Sequence, residues 1–145
     1  MAILKKLPSG HWQPEDSTAA IEPTDLRVVS LADWLDEKES GRTQEKPATL
    51  RLLPADSLRA AAAEVKNFER IEIEFPSFAD GRGYSQARVL RRCYGYDGEL
   101  RAVGDVRRDE LDFLDRCGFD SLQLPDGIDL TDALKAFDEI TVRYQ

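Results

Sequence analysis

The chain has 145 residues, of which 41% are apolar and 33% charged, with a net charge of −8. A chain of that length hides roughly 70% of its unfolded surface, so one folded domain with a full core is expected and disorder is not. The acidic balance disfavours general nucleic-acid binding, and no apolar run approaches the ~20 residues of a membrane span.

Residues 1–24, with His11, Trp12 and Pro14, read as an N-terminal extension lying across a single α/β domain of residues 25–145. The start Met1-Ala-Ile-Leu-Lys-Lys lacks the apolar region of a secretory signal, which points to a cytoplasmic protein. Leu26 to Val29 form a short β-like run, and Ser30-Leu-Ala-Asp33 then has capping-box spacing for a helix carrying Trp34 and Leu35. A second run, Thr49 to Leu53, stops at Pro54. Asp56 or Ser57 can cap the next helix, whose Leu58, Ala61, Ala62 and Val65 share one face.

The third run, Arg70 to Phe75, is rich in isoleucine and ends at Pro76. After the loop Phe78-Ala-Asp-Gly-Arg-Gly83, a helix is expected from about Tyr84 to Tyr94, with Ala87, Leu90 and Tyr94 on one side. The cluster Tyr94-Gly-Tyr-Asp-Gly98 ends it. Leu100 to Val103 is a fourth strand, and Arg107 to Cys117 a helix closed by Gly118 in a left-handed cap. Phe119 to Leu124 is a fifth strand, and Asp129 opens a last helix through Leu130, Ala133, Leu134, Phe137 and Ile140. Each gap between strands leaves room for the crossover helix that parallel strands need. A closed eight-stranded barrel takes ~200 residues or more. The expected fold is therefore α/β, a mostly parallel sheet of about five strands with flanking helices, open or half-barrel-like.

In such a sheet every strand-to-helix loop lies at the carboxyl edge, so two loops are expected to line one crevice there. The first, Asp80-Gly81-Arg82-Gly83-Tyr84-Ser85, runs into a helix N-terminus, where free N–H groups and the helix dipole favour an anion. Arg88 follows one turn on. The second, Gly104-Asp105-Val106-Arg107-Arg108, adds two more arginines. Gly81 and Gly83 permit positive φ and close backbone approach there. From Arg82 to Arg108 there are seven arginines against three carboxylates and no lysine, leaving −12 on the remainder of the chain. Guanidinium suits two parallel bonds to an oxyanion. The bland alternatives are Asp80 and Asp105 as helix caps, and Arg91 and Arg92 as a solvated face. As acids or bases, Asp80 and Asp105 are the only catalytic candidates. The spacing is neither a dinucleotide fingerprint, since Gln86 stands where a third glycine would, nor a Walker loop.

Cys93, Cys117 and His11 cannot assemble a zinc or iron–sulfur site, so no metal is expected and both thiols read as buried. The aromatics Phe75, Phe78, Tyr84 and Tyr96 could present a peptide-binding surface but fit core packing better.

Phe75-Pro-Ser-Phe-Ala-Asp-Gly-Arg-Gly-Tyr-Ser-Gln-Ala-Arg88, Gly95-Tyr-Asp-Gly-Glu-Leu-Arg-Ala102, Gly104-Asp-Val106 and Arg116-Cys-Gly-Phe-Asp120 resemble the bacterial domain-of-unknown-function family 934. The chain departs from that pattern at Glu110, where relatives tend to have glutamine. The resemblance implies a place in assimilatory sulfate reduction beside the sirohaem sulfite or nitrite reductase as partner, with the label oxidoreductase. Two functional classes follow. One is an accessory protein that docks on the reductase or handles a small sulfur oxyanion. The other is an enzyme in its own right, holding a flavin, NADP or other phosphate-bearing nucleotide at Gly81–Ser85. A non-catalytic α/β interaction module is the plainer alternative.

Overall fold

A computed structural model describes residues 2–14, 28–41, 49–77 and 81–143. Five parallel strands appear in chain order: β3 (Val28–Ser30), β4 (Thr49–Leu52), β5 (Arg70–Phe75), β6 (Glu99–Gly104) and β7 (Ser121–Leu124). Between and after them run the helices α1 (Leu31–Ser40), α2 (Leu58–Ala61), α3 (Arg82–Arg92), α4 (Leu111–Cys117) and α5 (Leu130–Arg143). The strand count exceeds the expected five because residues 2–14 do not drape over the domain. They form a hairpin of β1 (Ala2–Lys6) and β2 (Trp12–Pro14), and β1 pairs antiparallel with β7. The full order is β2-β1-β7-β6-β5-β4-β3.

Because the parallel strands lie in sequence order and such crossovers are right-handed, every helix falls on the same face of the sheet. The core confirms this. Leu50, Leu52, Ile71, Ile73, Leu100, Ala102, Leu122 and Leu124 project from alternate strand positions into one cluster with Trp34, Ala61, Leu90, Leu111, Leu114 and Ala133 from all five helices. The arrangement is the mostly parallel open sheet of the expected fold, and no point of strand reversal divides the parallel strands.

The intervening strand positions carry charge, yet Arg70, Glu72 and Arg101 are buried. Cross-strand pairing makes this tolerable. Arg51 reaches Glu72 at 2.7 Å, and Glu99 is a hub for Arg70 at 2.8 Å, Arg101 at 3.1 Å and the Ser121 hydroxyl at 2.9 Å. Burial raises the Glu99 pKa, but Arg70, Arg101, the Ser121 hydroxyl and Lys5 together outweigh it and hold the carboxyl below its ordinary value.

Local signals explain most element ends. The Ser30 hydroxyl accepts from Asp33 N–H at 3.1 Å, and Gly41 closes α1 at φ 72°. Ser57 caps α2, while Asp56 accepts from Leu53 N–H at 2.8 Å. The α2 segment is a single α-turn followed by a 3-10 turn at Val65–Asn67, shorter than the apolar spacing suggested. Gly118 caps α4 at φ 105°, as expected. No described helix is long and apolar enough to cross a membrane.

Candidate functional site

Residues of β5 and β6 pair in register from Arg70↔Glu99 to Phe75↔Gly104, so the loops that follow them lie side by side at the carboxyl edge. They are neighbours along an edge, not walls of a crevice between diverging helices, because all helices lie on one face. Asp80 and Phe78 fall outside the described residues.

The helix after β5 starts two residues earlier than its spacing suggested, with Gly81 as N-cap and no side-chain cap bond. Gly81, Arg82 and Ser85 are exposed. Gly83 corrects the backbone argument: its φ is not positive. It lies inside α3, and a Cβ built there would sit 2.5 Å from the Phe75 ring, so the glycine serves close packing of helix on strand. Tyr84 is likewise engaged. Its ring meets Phe75 at 5.0 Å and Phe113 at 4.8 Å, and burial, then the hydrogen bond to Glu110, raises its pKa. Gly83 and Tyr84 therefore do not fit a cradle for a nucleotide pyrophosphate. Gly81, Arg82 and Ser85 fit one anionic group at the helix N-terminus.

The second loop is tight. Gly104 has φ 95°, and its missing side chain leaves room for the Phe75 carbonyl, which accepts from Asp105 N–H at 2.6 Å. The Asp105 carboxylate accepts from Arg107 Nε at 3.3 Å. Arg108 reaches across to Asp132 of α5 at 2.7 Å. Both arginines are thus paired with carboxylates.

The remaining arginines separate by role. Arg88 leans on α4, with its guanidinium 5.4 Å from the Phe113 ring and a hydrogen bond to Cys117. Burial raises the Cys117 pKa, and Arg88 offsets part of that. Arg91 turns to the amino edge. Its Nε and Nη2 donate to Gly118 O at 3.1 and 2.9 Å, its Nη1 donates to Tyr96 O and Gly98 O at 2.8 Å each, and Nη2 also bonds Asp120. All five guanidinium N–H groups are used, which is structural work. Arg92 is exposed, and so is Cys93, against the expectation that both thiols are buried. Phe75 and Tyr96 belong to the core.

Sequence reasoning missed a groove of about 390 Å³ where the β1–β2 turn meets α4 and α5, walled by His11, Trp12, Asp112, Asp115 and Phe137. Trp12 stacks on Phe137 at 4.9 Å with the rings 4° from parallel. The turn signal Leu7-Pro-Ser-Gly10 between apolar runs was available for the hairpin. The docking of that hairpin on α5 had no sequence signal. No group of three or more metal-ligating side chains occurs among the described residues.

Among known proteins, a family model described as "Bacterial protein of unknown function (DUF934)" matches residues 49–145. No curated protein matches, and no solved structure does. The matched span runs from β4 through α5 and contains both carboxyl-edge loops, α3 and the Arg91 clamp. The chain therefore belongs to the bacterial DUF934 family of proteins of unknown function.

Proposed function

We propose that this chain is an accessory protein of assimilatory sulfite reduction, binding a small oxyanion at its carboxyl edge and docking on the sirohaem reductase. The observation that carries the anion part is the start of α3, an eleven-residue helix whose N-cap Gly81 makes no side-chain cap bond and whose Arg82 and Ser85 are exposed. First-turn N–H groups, a guanidinium and a hydroxyl there are donors for one tetrahedral or pyramidal anion. The pathway is taken from the family resemblance of the loops and of Gly95–Ala102.

An accessory role agrees with the geometry better than a nucleotide-dependent redox enzyme does. Redox steps need a cofactor, and the glycine and tyrosine that would cradle one are spent on packing against Phe75. The test combines purified protein with the sirohaem sulfite reductase of the same organism. Co-elution of the two and a change in reductase turnover are expected; no association and unchanged turnover would remove the proposal.

A further inference from the structure

We propose that the outer face of α3, together with Phe113 of α4, is the docking surface for a carboxylate-rich surface of a partner protein. This rests on the accessory reading above and adds the surface through which it would act. Helix α3 carries four arginines and no acidic residue, on a chain whose net charge is −8. Arg91 is turned inward by its five hydrogen bonds, whereas Arg82, Ser85, Arg88 and Arg92 are exposed at a spacing that aligns them along one side of the helix. Two carboxylates of the adjacent α4 are already paired elsewhere. Asp112 of α4 is held by Arg116 at 2.9 Å and Asp115 by Lys6 at 2.5 Å.

Beside the stripe stands Phe113, 42% exposed although it belongs to a packed helix. Arg88 covers part of the ring from 5.4 Å and the Tyr84 edge supports it at 4.8 Å. An aromatic ring with an arginine already held against it is the kind of residue pair that carries binding energy in protein interfaces, and its ordering is largely done before a partner arrives.

The test compares wild type with the double reversal Arg88→Glu with Arg92→Glu and with Phe113→Ser. Arg92→Glu alone covers the case in which loss of the Arg88 contacts disturbs folding, which urea titration would reveal. The probes are the sirohaem sulfite reductase, a fluorescein-labelled glutamate-rich peptide and a DNA duplex of equal label. Wild type is expected to bind the reductase with an affinity that falls as salt rises. The double reversal should weaken it by about tenfold or more and Phe113→Ser by several-fold. Binding to the reductase that is unchanged in all variants overturns the surface and leaves the accessory reading standing. Wild type that ignores the reductase but binds the peptide, with loss in the variants, supports the surface and overturns the accessory reading. Tighter binding to the duplex than to the peptide at the same salt overturns the partner class, and no binding to any probe overturns the proposal.

Discussion

Arg91 holds the amino edge together, and its replacement has a cost that can be worked out bond by bond. The guanidinium ties the end of α4 at Gly118, the turn at Tyr96 and Gly98, and Asp120 at the start of β7. A net intramolecular hydrogen bond contributes about 0.5–1.5 kcal/mol. The Asp120 charge adds little beyond its bond, since its side chain is 41% exposed and such pairs contribute about 0–1 kcal/mol. Arg91→Lys keeps the charge, but one ammonium offers three donors from a single point and cannot span carbonyls on both sides of the fork. Losing two of the five bonds costs about 2 kcal/mol. Arg91→Ala also loses the stem against Gly118 and the contact with the Tyr96 ring at 5.7 Å, for about 4 kcal/mol in all. With a urea slope of ~2 kcal/mol/M, the midpoints should fall by about 1 M and 2 M. Arg92→Ala is the control and should stay within about 0.5 kcal/mol, because that side chain is exposed. An Arg91→Lys midpoint equal to wild type would refute the geometric account, showing that charge and length suffice without the planar fork.

Gly83→Ala should destabilise the fold by about 1–3 kcal/mol, because its Cβ needs space that the Phe75 ring holds at 2.5 Å; urea titration with no midpoint change would show that the ring simply moves aside. Gly104→Ala should cost more, combining φ 95° with a Cβ placed 2.4 Å from the Phe75 carbonyl oxygen, and a stability within about 0.5 kcal/mol of wild type would contradict both. Arg82→Ala should leave the urea midpoint unchanged yet weaken sulfite or sulfate binding by about 1.5–3 kcal/mol, read by calorimetry, and equal affinity would take Arg82 out of the anion site. The hydrogen bond and charge of Lys38, then the Trp34 indole at 2.9 Å, hold the Glu64 carboxyl below its ordinary 4.5. A depressed folded-state pKa contributes stability above 4.5 that is lost as pH falls through the folded value. Glu64→Gln should therefore flatten the acid limb of a stability–pH curve, and an unchanged limb would assign acid unfolding to other carboxyls.

The parallel half of this fold was legible because each strand announces itself locally. Arg70-Ile-Glu-Ile-Glu-Phe75 alternates, stops at Pro76, and occupies the expected residues as β5. The hairpin was harder to place: β1 and β2 are short, and what makes them sheet is pairing with β7 more than a hundred residues away, Ala2↔Leu124 and Leu4↔Leu122. The placement of the two loops at the carboxyl edge was legible, since loop position follows from the handed crossovers, and the roles of their side chains much less so. A count of arginines along the chain cannot tell which face of a helix or strand each occupies. Arg91 looks as solvated in sequence as Arg92, yet its acceptors are mostly backbone carbonyls, and these leave no mark in the sequence. Arg101 alternates with apolar neighbours as an outward residue should, but it is buried, and Glu99 lies two residues back on the same face of β6. Arg91 and Arg101 turn inward, Arg107 and Arg108 pair with Asp105 and Asp132, and the arginines exposed on α3 are Arg82, Arg88 and Arg92. The charge expected to line an anion-binding crevice is carried in good part on an exposed helical face, and such a face is better suited to meeting another protein than to enclosing a substrate.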